Sequence, residues 1–86
     1  MNTQQTGTAH KNPEHERVGR TVQAFRERFG YTQDELAREA DMSRSHLANI
    51  EAGRKPLGNR HLAKIADLLG ITPLAIKQFD RELIAA

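Results

Sequence analysis

The 86-residue sequence contains no cysteine, which removes both a disulfide framework and a thiolate metal site. No apolar run approaches the ~20 residues of a membrane-spanning helix, and no signal-peptide pattern opens the chain. The expectation is therefore a protein of the reducing cytoplasm with no membrane partner. No β-hairpin signal appears anywhere. A chain this short builds one core, and without covalent staples that core favours several helices clamped together. Catalytic groupings are equally scarce. Ser43 and His46 stand three apart on one helical stretch, but no third orienting group and no oxyanion donors accompany them, so no enzyme is expected. His46 and His61 lack the cysteine or acidic cluster that would complete a metal site, and no cofactor is implied.

What the chain does have is an uneven charge distribution. Its formal net charge is only +2. Residues 31–43 carry Asp34, Glu35, Glu39 and Asp41 against Arg38 alone, a net of −3. Residues 44–64 carry Arg44, Arg54, Lys55, Arg60 and Lys64 against Glu51, a net of +4. Such a basic segment is either ordinary solvated charge or a face built for a polyanion.

Five helices can be read in order. Residues 1–11 are polar and aperiodic and are expected to form a disordered lead. The domain then runs over 12–86. Asn12 caps a first helix with Pro13 at its first position and Glu14 and Glu16 in its first turn. Val18, Val22, Phe25 and Phe29 recur at helical spacing on one face, and Gly30 ends the helix. Thr32 and Glu35 form a capping box for a second helix whose Leu36, Ala37 and Ala40 face inward. Asp41-Met42 makes a tight turn. Ser43 caps a third helix with Leu47 and Ile50 on its buried side, and Gly53 stops it. After the Arg54–Gly58 loop, a fourth helix starts at Gly58 or Asn59 and buries Leu62, Ile65, Ala66 and Leu69 before Gly70. Thr72 caps a fifth helix over 72–86, with Pro73 at its first position and Leu74, Ile76, Phe79, Leu83 and Ile84 as its apolar content.

Residues 32–53 are the most informative stretch: two short helices, a tight turn, and polar side chains at the exposed start of the second helix. That is the layout of a helix-turn-helix, whose second helix enters the DNA major groove. Leu47 and Ile50 anchor this helix. Arg44, Ser45 and His46 offer hydrogen-bonding groups at its start, and Asn49 follows one turn on along the same face. Arginine suits guanine O6 and N7, and asparagine suits adenine N6 and N7, so these four are the candidate base contacts. Candidate phosphate contacts are Thr32, Gln33, Ser43, Arg54, Lys55, Asn59 and Arg60, together with the amides opening the second helix.

With these residues in place, the chain resembles the helix-turn-helix family of phage lambda repressor and Cro, also called the XRE family. The likeness runs from about Val18 to Leu74. It is carried by Gly19 and Arg26, Thr32-Gln33-x-x-Leu36-Ala37, Ser43, Ile50-Glu51-x-Gly53, and Ile65-Ala66-x-x-Leu69-Gly70. The resemblance implies an all-α, five-helix lambda-repressor-like domain. It also implies that Gln33 binds a phosphate and braces Arg44, that Arg44, Ser45 and Asn49 read bases, and that Arg26 pairs with Glu51. The chain departs from the family at three places. Asp41 stands where the turn usually has glycine, Asn59 replaces a common apolar residue, and Phe29 sits where the family is usually polar. A left-handed turn residue is tolerated by Asp at a cost of up to ~1 kcal/mol.

The apolar content of the fifth helix exceeds what a monomer of this size must bury. Leu57, Ile76, Phe79, Leu83 and Ile84 are therefore candidates for a two-fold dimer seam, since two recognition helices ~34 Å apart can read a palindrome. The resulting expectation is a transcriptional regulator, a repressor that binds double-stranded DNA as a homodimer, phage-repressor-like or restriction-modification-controller-like. The alternative is an antitoxin that binds a toxin partner and autoregulates through the same fold. The basic segment argues against a dimerisation adaptor that binds no DNA.

Overall fold

The computed structural model describes residues 12–78. The polar lead at 1–11 and the seam candidates Phe79, Leu83 and Ile84 lie outside the described residues. Within them the chain forms α1 (Pro13–Arg28), α2 (Gln33–Glu39), α3 (Arg44–Glu51), α4 (Asn59–Leu69) and α5 (Pro73–Gln78), with no strand.

Local chemistry sets the helix boundaries. The Asn12 side chain accepts from the amides of Glu14 at 2.9 Å and His15 at 3.2 Å, satisfying donors that a helix start leaves without a partner. The capping box of α2 is complete: Thr32 Oγ1 accepts from Glu35 N at 3.1 Å, and Glu35 Oε1 accepts from Thr32 N at 2.9 Å. The bond that the Thr32 amide donates, followed by a contribution from the Thr32 side chain, holds the Glu35 carboxyl below its ordinary value. Ser43 Oγ accepts from His46 N at 3.0 Å to open α3. Thr72 Oγ1 does the same for Ala75 N at 3.2 Å at the start of α5. α4 begins at Asn59, with Gly58 as a cap that contributes no side-chain bond. Asp41 adopts φ 58° in the turn between α2 and α3, the left-handed conformation that a family glycine would otherwise occupy.

The core is built from Val22, Leu36, Leu47, Ile50, Ile65 and Ile76, none more than 1% exposed. α1 packs on α3 and α5, α2 on α3, and α4 on α5. Arg17 on α1 adds a polar tie by donating to the carbonyl oxygen of Lys77 at the end of α5. Among the described residues, no helix is long and apolar enough to cross a membrane.

Two apolar residues differ from their sequence-based placement. Ile76, expected at a dimer seam, is 0% exposed and belongs to the chain's own core. Burial of such a side chain stabilises the fold by ~1.5–3 kcal/mol, which a seam using Ile76 would have to give up, so it is withdrawn from the seam. Leu57 also rests partly buried against the same core. Phe29, placed by periodicity on the buried face of α1, is instead the C-terminal cap and 50% exposed. Its ring lies parallel to that of Phe25, with centroids 6.3 Å apart and planes at 2°.

Candidate nucleic-acid interface

The orientation of α3 follows from what holds it. Leu47 and Ile50 fix its inner face, and its final residue, Glu51, is buried at 6% exposure. A carboxylate in that position must be paired, because an isolated buried charge is costly. Arg26 on α1, itself 8% exposed, donates from Nε to Glu51 Oε2 at 2.7 Å and from Nη2 to Oε1 at 3.1 Å. Its Nη1 donates to the Tyr31 carbonyl oxygen at 2.8 Å. Gln33, the first residue of α2, donates from Nε2 to Glu51 Oε1 at 2.9 Å. One carboxylate therefore joins the end of α3 to α1 and to the start of α2. The approach of α1 to α3 depends on Gly19, since a Cβ there would lie 2.2 Å from the Ile50 carbonyl oxygen and 2.8 Å from that of Glu51.

With its far end locked, α3 offers its start to solvent. Arg44 and Ser45 are exposed. Arg44 borders a hollow together with Arg26, Tyr31, Thr32, Gln33 and Asp34. The Gln33 Nε2 is engaged with Glu51, while its Oε1 is the atom that could accept from the Arg44 guanidinium, which has donors only. The hydroxyl oxygens of Thr32 and Ser43 serve as helix caps, and the Ser43 hydroxyl keeps its O–H for donation.

The remaining α3 candidates have side-chain partners on α4 and in the loop that follows α3. His46 is half-buried, and its ring meets that of His61 on α4 edge-on, with centroids 5.2 Å apart. Burial pushes the His61 imidazole below its ordinary value, and His46 and Arg60 push it the same way. Asn49 is also half-buried, and its side-chain Oδ1 accepts from Arg54 Nη1 at 3.3 Å. Its backbone oxygen accepts from the amides of Arg54 at 2.9 Å and Lys55 at 3.3 Å. Lys55, Asn59 and Arg60 are exposed on the following loop and at the start of α4. Among the described residues, no three histidine, aspartate or glutamate side chains come together as a metal site.

The sequence model of the helix-turn-helix family matches residues 22–76, from α1 into α5. The chain belongs to the helix-turn-helix family. It is a member of the lambda-repressor and Cro-like, or XRE, branch of DNA-binding regulators. Solved structures place it in the same company. The clp gene regulator ClgR from Corynebacterium glutamicum is 26% identical, with a TM-score of 0.72 over 88% of this chain and 76% of that one. The restriction-modification controller protein C.AhdI from Aeromonas hydrophila is 23% identical, with a TM-score of 0.73 over 76% of this chain and 98% of that one. SinR, a master regulator for biofilm formation solved in complex with DNA, is 25% identical, with a TM-score of 0.65 over 69% of this chain and 95% of that one. No curated protein matches the sequence.

Some of this helix-turn-helix site was open to local reasoning and some was not. The exposed start of α3 and the caps follow from residues close in sequence. The Arg26 bond to the Tyr31 carbonyl, the Gln33 bond to Glu51 and the His46–His61 contact join different elements. The Asn49–Arg54 bond did have a local signal: five residues separate the two across Gly53, whose φ of 82° turns the chain back along α3.

Proposed function

We propose that the chain is a transcriptional repressor acting in the cytoplasm, and that it binds a palindromic operator as a homodimer. The observation that carries this reading is the contrast along α3. Its end is locked by the buried Glu51–Arg26 pair while Arg44 and Ser45 stand exposed at its start. A helix held in this way can present side chains to base edges at a fixed depth and angle. Arg44 takes a guanine edge, with Ser45, His46 and Asn49 as the neighbouring readers. Gln33, Thr32 and Ser43 on one side of the groove, and Arg54, Lys55, Asn59 and Arg60 on the other, supply phosphate contacts that set register. The printed roles of ClgR as a gene regulator, C.AhdI as a controller protein and SinR as a DNA-bound regulator support this reading. The seam falls to surfaces other than Ile76, with exposed Leu74 (59% exposed) the leading described candidate.

Selection of bound duplexes from a random pool, followed by sedimentation of the protein with the winning sequence, tests this. The expected result is an inverted repeat with half-site centres ~34 Å apart and two chains per duplex. Enrichment of a single half-site carrying one chain overturns the dimer and the palindrome. No enrichment at all overturns sequence-specific binding.

A further inference from the structure

We infer that Arg54 is a positioning residue for Asn49, fixing which end of its amide faces the DNA and so excluding cytosine from the base it reads. This rests on the reading of α3 as the base-reading helix. An asparagine amide is ambiguous on its own, because carbonyl and amino ends are similar in size and a half-turn exchanges an acceptor for a donor. Next to Arg54 that ambiguity disappears. A guanidinium has five N–H donors and no acceptor, so the amide atom facing it must be the oxygen, as found: Arg54 Nη1 lies 3.3 Å from Asn49 Oδ1.

Arg54 is itself well placed for the task. Its backbone amide donates to the Asn49 carbonyl oxygen at 2.9 Å, and the amide of Lys55 donates to the same oxygen at 3.3 Å. The loop is thus hooked onto the residue whose side chain it orients. Asn49 lies four residues after Ser45, one turn further along the face of α3 that carries Ser45. With its oxygen turned to Arg54, Asn49 leads with its NH₂ group.

A leading donor needs an acceptor. In the major groove guanine offers O6 and N7, adenine N7 and thymine O4, whereas cytosine offers only the N4 amino group. Two donors facing each other cannot bond. The Asn49–Arg54 pair therefore discriminates against cytosine on the contacted strand, and the adenine pairing expected for a free asparagine becomes one of several accepted contacts.

The test is selection from a random duplex pool with the wild-type chain, Asn49→Ala, Arg54→Ala, Arg54→Lys and the double alanine variant, with circular dichroism confirming that each is folded. In the wild type, one position in each half-site should be depleted of cytosine at least several-fold. Asn49→Ala and Arg54→Ala should each abolish that depletion at the same position, the double variant should add nothing there, and Arg54→Lys should restore part of it. If Arg54→Ala weakens all sequences equally and leaves the depletion intact, Arg54 is only a phosphate contact and the inference fails. If Asn49→Ala changes no position, Asn49 reads no base, and the inference fails with it while Arg44 can still be a reader. If the wild type selects no sequence, the base-reading function itself has failed.

Discussion

Arg26 reaches from α1 to the last residue of α3 and grips both carboxylate oxygens of Glu51, Nε to Oε2 at 2.7 Å and Nη2 to Oε1 at 3.1 Å. Both residues are more than nine-tenths buried, so the pair differs in kind from the exposed Arg38–Asp34 bridge at 2.6 Å. Exposed pairs of that sort contribute ~0–1 kcal/mol. Removing one member of a buried pair strands the other and costs ~3–5 kcal/mol.

Arg26→Ala and Glu51→Ala should therefore each lower the unfolding free energy in urea by ~3–5 kcal/mol, against under ~1 kcal/mol for Arg38→Ala. The combined Arg26→Met, Glu51→Leu variant should recover part of that loss but not all, because the Tyr31 carbonyl and the Gln33 amide lose their partners as well. An Arg26→Ala protein as stable as the parent would show that the pair contributes nothing.

The turn at Asp41 gives a prediction of opposite sign. Its φ of 58° is a conformation in which a side chain costs free energy and glycine does not. Asp41→Gly should raise stability by up to ~1 kcal/mol, read as a higher melting temperature, whereas Asp41→Val should lower it. A destabilised glycine variant would mean that the Asp41 side chain contributes more than its backbone strain costs.

Arg44 and Lys55 should separate by the kind of binding they lose. Arg44→Ala should cost ~1–3 kcal/mol on the selected operator and relax preference at one base position. Lys55→Ala should weaken all duplexes alike and make the slope of log affinity against log salt shallower by ~1. Uniform weakening by Arg44→Ala would reassign it to the phosphates, and an unchanged slope for Lys55→Ala would remove it from the interface.

His61 predicts a pH dependence of folding. Burial first, then His46 and Arg60, lower its proton affinity in the folded chain from an ordinary value of 6.5. The unfolded chain therefore binds the proton first as pH falls, and stability rises with pH wherever that difference exists. His61 should contribute no penalty above about 6.5, a growing one below it, and a constant one once the folded chain is protonated too. Melting temperatures from pH 7.5 down to 5 should fall less steeply for His61→Gln than for the parent. Parallel curves would show that His61 is not responsible.

What could be read from the sequence follows the range of the interactions. Asn12, Thr32 with Glu35, Ser43 and Thr72 act on amides two or three residues away, so their caps are visible in a linear string. Glycine after α1, α3 and α4 is legible for the same reason. Ile76 was not, because an apolar residue at helical spacing looks the same whether it meets its own core or a second chain. Phe29 was misplaced because periodicity does not report that the helix has already ended. The Gln33 bond to Glu51 was not visible because the two stand eighteen residues apart in sequence. The Arg26–Glu51 pair came from family likeness rather than from spacing, since its members stand twenty-five apart.

Gly19 gives α3 a fulcrum. α3 has eight residues, a rod of ~12 Å at 1.5 Å per residue, pressed at its inner end against a bare backbone carbon. A single added methyl group would push on the Ile50 and Glu51 carbonyls and pivot the rod, and its free tip, where Arg44 sits, would swing the furthest. On the proposed reading of α3, the accuracy with which the Arg44 guanidinium would meet a base edge is determined partly at Gly19, by an atom that is missing.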